Sequence, residues 1–351
     1  MLKKLVVLAS LIFFSLNSYS YKFDTIVVLG DSLSDNGNLY NYLGHIIPKS
    51  PPYYEGRFSN GPVWVENLFQ TYFPNAKSDN FQNYAVGGAG AILSYKENLP
   101  YTLQAEVDNY LYVHHYSNKN KSLFVVWIGA NNYLNGPTNI EVLTTDVVEA
   151  IGNNIKRLVD RGAVMFLMVN LPDMGKTPEA IKTNNQALLT ELTLAHNQKL
   201  FNKYSELREE YPNVNFAYFD VYSVFNQLMT DPQQHGISNT TEPCYDGSFI
   251  SSAELSANNQ VPLAGYLLQQ AKQQDIDLNE QTKEAILENP VLREALALGY
   301  QSQKNPKLQA AAESCTGYLF WDHVHPTTAV HQLIAQYAKS TIDMAGFQPI
   351  N

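Results

Sequence analysis

Apolar runs recur along the chain, and each ends abruptly in small polar residues or glycines. Residues 26–29 stop at Gly30, Asp31 and Ser32; 81–86 at Gly87 and Gly88; 122–129 at Ala130, Asn131 and Asn132; 163–169 at Asn170; and 214–219 closes the series. Short runs rich in β-branched and aromatic residues, bounded by turn formers, read as buried strands. Between the third and fourth, Ile140, Leu143, Val147, Ile151, Ile155 and Leu158 fall at three- and four-residue steps, the apolar face of a helix. Helices are also expected over 63–72, 180–210 and 328–345. Strands that alternate with helices imply an α/β fold with a mostly parallel, doubly wound sheet, whose connections bring every strand's carboxyl end to one rim. Ser32, Gly88 and Asn131 all fall on that rim.

Between Cys244 and Cys315 the texture changes. The segment is rich in Ala, Gln, Asn and Glu, with helix-like patches over 261–272 and 278–298 but no strand or motif. Residues 245–314 therefore read as an insertion, suited by position to a lid or a propiece. A chain of 351 residues can bury the core of one large α/β domain or of two small ones. With the insertion set apart, 21–351 reads as a single domain. The start of the chain carries Lys3 and Lys4, an apolar run over 5–16, and then Ser18, Tyr19 and Ser20. That is the pattern of a secretory signal peptide over about 1–20, too short for a comfortable membrane span, and no other segment could cross a bilayer. The mature protein is expected to be secreted, either extracellular or periplasmic. In such an oxidising compartment the two cysteines read as one Cys244 to Cys315 disulfide rather than a metal site. The net charge is −10, and loss of Lys3 and Lys4 makes it more negative still. Nucleic acid and anionic membrane surfaces would repel such a protein, so any lipid contact must be apolar.

Candidate chemistry centres on Ser32, outside the carboxyl end of the first strand, where open α/β sheets present their sites. Ser and Asp at such a point also serve simply as helix caps. A serine nucleophile needs a base, a group to orient the base, and donors for the oxyanion. Asp322 and His325, three residues apart just before the last helix, can share one side of a turn, so that the carboxylate holds the imidazole and its other nitrogen faces Ser32. His323 lies between them as a decoy. Each piece has a plainer reading: the His and Asp as a cap or surface pair, the glycines as a turn, and Asn131 as a turn residue. The loop over 50–62, with Tyr53, Tyr54 and Phe58, is long enough to line a site. The Ser32 hydroxyl is expected to be exposed. No metal or cofactor is required, and none of the eight histidines forms an HExxH-type pair.

Together, Gly30-Asp31-Ser32-Leu33, Gly87-Gly88, Gly129-Ala130-Asn131 and Asp322-His323-Val324-His325-Pro326 resemble the four blocks of the GDSL or SGNH esterases and lipases. The resemblance implies a flavodoxin-like three-layer sandwich of about five parallel strands. It also implies Ser32 as nucleophile, His325 as base and Asp322 as its partner. The oxyanion hole would be the Ser32 N–H, the Gly88 N–H and the Asn131 side chain, with Gly87 as the alternative to Gly88. The Gly-x-Ser-x-Gly elbow of α/β-hydrolases is missing around Ser32. One departure is Asn132, where the family commonly has Asp; losing that carboxylate could loosen the loop that holds Asn131.

Residues 50–64, 170–173, 231–236, 243–247 and 320–328 look like the secreted bacterial glycerophospholipid:cholesterol acyltransferase and lysophospholipase branch. This implies hydrolysis of phospholipid or lysophospholipid acyl esters through an acyl-serine, with cholesterol as the acceptor in some members. It also implies an activating protease, for which the polar, helix-poor stretches 251–260 and 299–307 are the expected cleavage sites. Two other readings stay open: a carbohydrate acetylesterase of the same family, and a non-catalytic surface domain that keeps the fold. The aromatic loop and the insertion favour a covered acyl chain over the first of these. The presence of Ser32, Asn131, Asp322 and His325 together counts against the second.

Overall fold

A computed structural model of the chain describes residues 21–75, 78–93, 101–134, 139–245, 260–304 and 315–350. The expected signal peptide lies outside them. The strands are β1 (Tyr21–Phe23), β2 (Thr25–Gly30), β3 (Phe81–Asn83), β4 (Ser122–Trp127), β5 (Met165–Val169), β6 (Asn215–Phe219), β7 (Asn239–Pro243), β8 (Tyr318–Phe320) and β9 (Phe347–Pro349). The helices are α1 (Asn38–Tyr42), α2 (Trp64–Tyr72), α3 (Leu103–Val113), α4 (Ile140–Val159), α5 (Pro178–Thr183), α6 (Gln186–Glu210), α7 (Val221–Thr230), α8 (Gln260–Gln273), α9 (Glu280–Glu288), α10 (Pro290–Lys304) and α11 (Thr328–Met344).

The central sheet has the order β3-β2-β4-β5-β6, and every neighbouring pair in it is parallel. Strand order reverses between β2 and β4, and in such a sheet a crevice opens there, outside the carboxyl ends. Both faces are covered, which is why β4 and β5 are buried throughout and read as continuous rather than alternating apolar runs. Phe124, Phe166 and Phe216 sit in register on β4, β5 and β6, with ring centroids 5.4 and 5.3 Å apart. Tyr110 of α3 packs edge-on against Phe124. Trp127 and Phe219 meet Trp64 of α2 instead, an odd number of residues along their strands and hence on the opposite face. α3, α4 and α6 pack together on the first face, and α2 and α11 on the second.

Several elements differ from the sequence expectation. α3 and α7 were not marked by strong periodicity over a long window, yet Leu103, Val107 and Tyr110, and Val221, Val224, Phe225 and Leu228, are buried one helical face at a time. The helix expected over 180–210 is two helices, because Asn184 turns left-handed with φ 59° and ends α5. The second patch of the insertion is also two helices. Pro290 cannot continue α9, and the Asn289 carboxamide caps α10 by accepting from Val291 and Leu292 N–H at 3.0 and 3.2 Å. The stretch 299–307 is not helix-poor: α10 runs on to Lys304, with the Ser302 hydroxyl donating to the Gly299 carbonyl at 2.8 Å. The rest of that stretch, and 251–259, lie outside the described residues.

Cys244 and Cys315 form the expected disulfide, 71 residues apart in sequence. It closes the foot of the insertion, since Cys244 follows β7 and Cys315 precedes its parallel partner β8. Among the described residues no helix is long and apolar enough to cross a membrane.

The aromatic ladder predicts the energetic centre of the sheet. Phe166→Ala should lower unfolding stability by about 3–5 kcal/mol in urea titrations, whereas Tyr116→Ala, at a position 97% exposed, should change it by less than about 0.5 kcal/mol.

Candidate active site

β2 brings the chain to the rim with Gly30 pressed against β4, where a Cβ would lie 2.5 Å from the Trp127 carbonyl oxygen. The Gly30 N–H is taken by Glu106 of α3 at 2.8 Å. The chain then turns at once: the Asp31 carboxylate accepts from Leu33 N–H at 3.1 Å, and the Asp31 carbonyl accepts from the Ser34 and Asp35 N–H groups. This tight turn sets Ser32 at the end of the strand. Asp35 fastens a second rim segment to the first. Its carboxylate accepts from the N–H groups of Gly37, Asn38, Leu39 and Gly87 at 2.6 to 3.1 Å.

The far end of the chain arrives through β8. After Trp321, whose N–H donates to the His325 carbonyl at 2.7 Å, Asp322 caps its own turn by accepting from Val324 and His325 N–H at 2.9 and 2.7 Å. That turn aims the His325 ring across the rim. His325 Nδ1 lies 2.8 Å from Asp322 Oδ2, and Nε2 lies 2.8 Å from Ser32 Oγ. Phe58 packs against the imidazole at 5.1 Å, and the Ser59 hydroxyl donates to the Pro326 carbonyl at 2.9 Å, so the loop over 50–62 backs the turn.

Burial sets the electrostatics. For His325 it opposes protonation, but the Asp322 carboxylate more than compensates and holds the ring's pKa above its ordinary 6.5. Burial likewise opposes the charge of Asp322, yet the His325 ring and the two backbone N–H groups keep its pKa below the usual value. For Asp31 burial outweighs the Leu33 N–H and the nearby His325 ring, and its pKa is pushed up to about 7. Asp35 is raised to about 6 for the same reason, despite its four N–H donors. A serine hydroxyl on a neutral, carboxylate-backed imidazole is an arrangement in which the ring can take the hydroxyl proton.

The Asn131 carboxamide donates to the Ala89 carbonyl at 2.9 Å, and Asn131, Ser32 and His325 line one cavity. Asn132 does not loosen this loop. Its Oδ1 accepts from Ala91 N–H at 2.8 Å and its Nδ2 donates to the Ile92 carbonyl at 2.9 Å, a pair of bonds that a carboxylate could not make. The Gly87 N–H is committed to Asp35 at 2.8 Å. Gly88 adopts φ 79°, and no backbone carbonyl among the described residues accepts the Gly88 or Ser32 N–H.

The insertion reaches into this site. Leu292 of α10 lies over Gly88, where a Cβ would meet its side chain at 3.0 Å, and the neighbouring Val291 lines the cavity. Ser32 is only 4% exposed, contrary to the expectation of an exposed hydroxyl. His323 turns away from Ser32 to Glu294 of α10, which accepts from its backbone N–H at 2.9 Å and lies 2.7 Å from Nδ1. Glu294 carried no sequence signal, because the insertion has no motif. Asp35 and Tyr53, which touches Asp322, stood in segments marked only as turn-rich or aromatic. The cavity is narrow, about 40 Å³, and mostly apolar, with Leu134, Met174, Phe225, Met229 and Phe320 among its walls.

The GDSL-like lipase/acylhydrolase family matches the chain over residues 26–338. The phosphatidylcholine-sterol acyltransferase of Aeromonas hydrophila is 35% identical over 329 residues, which cover 92% of this chain and 90% of that protein. The thermolabile hemolysin of Vibrio parahaemolyticus is 28% identical over 320 residues, covering 89% of this chain and 62% of the hemolysin. The secreted effector protein SseJ of Salmonella typhimurium is 28% identical over 205 residues, 58% of this chain and 48% of the effector.

The opposed effects on His325 give a prediction. Its imidazole should titrate above 6.5 in the wild-type protein and markedly lower in Asp322→Asn, where burial remains and the Asp322 charge is gone while Glu294 and Asp31 stay. NMR titration of the ring protons reads both values directly, and no downward move in the variant would mean that Asp322 does not set the charge of His325.

Proposed function

The chain belongs to the GDSL-like lipase/acylhydrolase family, and on that premise we propose that it hydrolyses acyl esters of phospholipids and lysophospholipids through an acyl-serine. The observation that carries the lipid reading is the apolar cavity adjoining Ser32. A site for acetylated sugar would present polar groups to its substrate, whereas this cavity is walled by methionine, leucine and phenylalanine side chains; at about 40 Å³ it must widen, as movement of the insertion would allow, before an acyl chain enters. The Aeromonas relative, a phosphatidylcholine-sterol acyltransferase by name, supports the same class of substrate.

In this mechanism Ser32 Oγ attacks the ester carbonyl carbon while His325 Nε2 takes the hydroxyl proton. Asp322 orients the ring and stabilises its cation. The oxyanion receives the Ser32 and Gly88 N–H groups and the Asn131 N–H not spent on Ala89. Gly88 is favoured over Gly87 because the Gly87 N–H is already bound to Asp35. Collapse breaks the ester C–O bond, and the leaving alkoxide takes the proton from His325. Water then attacks the acyl-serine, His325 accepts its proton and returns it to Ser32, and the fatty acid departs. Cholesterol in place of water gives a cholesteryl ester by the same step.

The proposal includes a leader over 1–20, export from the cytoplasm, and a single hydrolase domain over 21–351. The disulfide supports export, since such bonds persist in oxidising compartments. It further includes the insertion over 245–314 as a lid that restrains the intact enzyme until a protease cuts it. Leu292 above Gly88 and the Glu294–His323 contact support this part, because both tie α10 to the rim.

Ser32→Ala should abolish hydrolysis of lysophosphatidylcholine, and His325→Ala should match it, because such groups act as a unit. Product analysis on lysophosphatidylcholine, phosphatidylcholine with and without cholesterol, and acetylated xylan tests the substrate class. Turnover of the xylan alone would move the assignment to the carbohydrate esterases. Wild-type activity in Ser32→Ala would remove the mechanism altogether.

Nicking between Cys244 and Cys315 should leave the halves disulfide-linked on non-reducing gels. It should raise activity on long-chain phospholipid more than on a small soluble ester. Linked halves with no gain on lipid would reduce the insertion to a structural element.

A further inference from the structure

Tyr53 belongs to the loop between α1 and α2, far from β8 in sequence, and its side chain is buried among aromatic rings. Phe58 and Trp321 flank it edge-on, with centroids at 6.0 and 5.8 Å. Its hydroxyl donates to Asp322 Oδ2 at 2.7 Å, the same oxygen that lies 2.8 Å from His325 Nδ1. Phenylalanine would fill the same aromatic pocket, so packing does not account for the hydroxyl.

We propose that Tyr53 is a positioning residue for the Asp322–His325 pair: its hydroxyl fixes Asp322 Oδ2 against the imidazole and disperses the carboxylate charge, thereby setting how tightly His325 holds a proton. The proposal rests on the triad reading above. Asp322 receives two backbone N–H groups on Oδ1, while Tyr53 is the side-chain donor other than His325 that reaches Oδ2. The donor is permanent, because burial first, and then the charges of Asp322 and Glu294, push the Tyr53 pKa well above its usual 10.0.

Without the hydroxyl, the Asp322 charge is less dispersed and stabilises the imidazolium more strongly, so the pKa of His325 rises. Neutral His325 is the working base, so the acid limb of the activity profile must move to higher pH. The other ionisable groups facing His325 are Asp31 after β2, Glu294 of α10 and His331 of α11, and the substitution leaves all three in place.

The test is the pH profile of kcat/KM on a soluble p-nitrophenyl ester for wild type, Tyr53→Phe, Asp322→Asn and the double variant, with thermal unfolding recorded for each. Tyr53→Phe should lower kcat/KM about tenfold and raise the acid limb by roughly half to one pH unit, which corresponds to one weakened charged hydrogen bond. In the Asp322→Asn background it should shift nothing further, since the two act through one contact. Tyr112→Phe, on α3 at a position 85% exposed, should keep the wild-type profile. An unmoved acid limb in Tyr53→Phe, with or without lost thermal stability, assigns the residue to packing and overturns the proposal. Ser32→Ala separates the two levels: if it stays active the triad reading fails, and if it is inactive while Tyr53→Phe keeps its limb, only the role of Tyr53 fails.

Discussion

A carboxylate with no solvent exposure has to be held by donors, and Asp322 takes them both from its own turn and, through Tyr53, from a loop 269 residues away. An unpaired buried charge costs several kcal/mol, so the contacts that satisfy Asp322 are a condition of folding as well as of any chemistry. Two donors are local, the N–H groups of Val324 and His325, and they shape the turn. The others are the His325 ring, which faces Ser32, and the Tyr53 hydroxyl, which belongs to the aromatic loop after α1. Satisfying one carboxylate thus draws the last block of the sequence and that loop onto the rim formed by β2.

The opposite situation holds beneath Ser32. Asp31, Asp35 and Glu106 are buried close together, and burial raises the pKa of each. Their hydrogen bonds go to backbone N–H groups, and the segments they bind are the turns around Ser32 and Gly87. These carboxyls therefore act as clamps on the backbone. Their location at the rim follows from the sheet itself: where parallel strands end, successive N–H groups lose their ladder partners and need other acceptors.

The insertion is joined to the site by a polar contact as well as by apolar packing. Glu294 and His323 are both buried, and each relieves the desolvation of the other. His323 stands between Asp322 and His325, so movement of α10 is mechanically close to the proposed base. The disulfide holds the foot of the same segment between β7 and β8. α10, tied to the rim through Glu294, covers Gly88 through Leu292 without adding a strand to the sheet.

Local patterns were enough to establish the five strands of the central sheet, the rim and the spacing of Asp322 and His325, but not the short strands β1, β7, β8 and β9. Continuous apolar runs require a sheet covered on both faces, and glycine or asparagine must follow where the backbone bends sharply. Those are short-range constraints, and they leave a mark within a few residues. The pairing of Ser32 with His325 spans 293 residues and that of Tyr53 with Asp322 spans 269. The family blocks pointed to the first of these pairs, while the second had no pattern to announce it. Nor did the sequence reveal that Glu294 would meet His323 or that Leu292 would cover Gly88, since an acid and a leucine in an amphipathic helix look alike wherever that helix docks. Tertiary structure decided these contacts because each depends on which surfaces meet, and burial makes the meeting matter by removing water as the alternative partner.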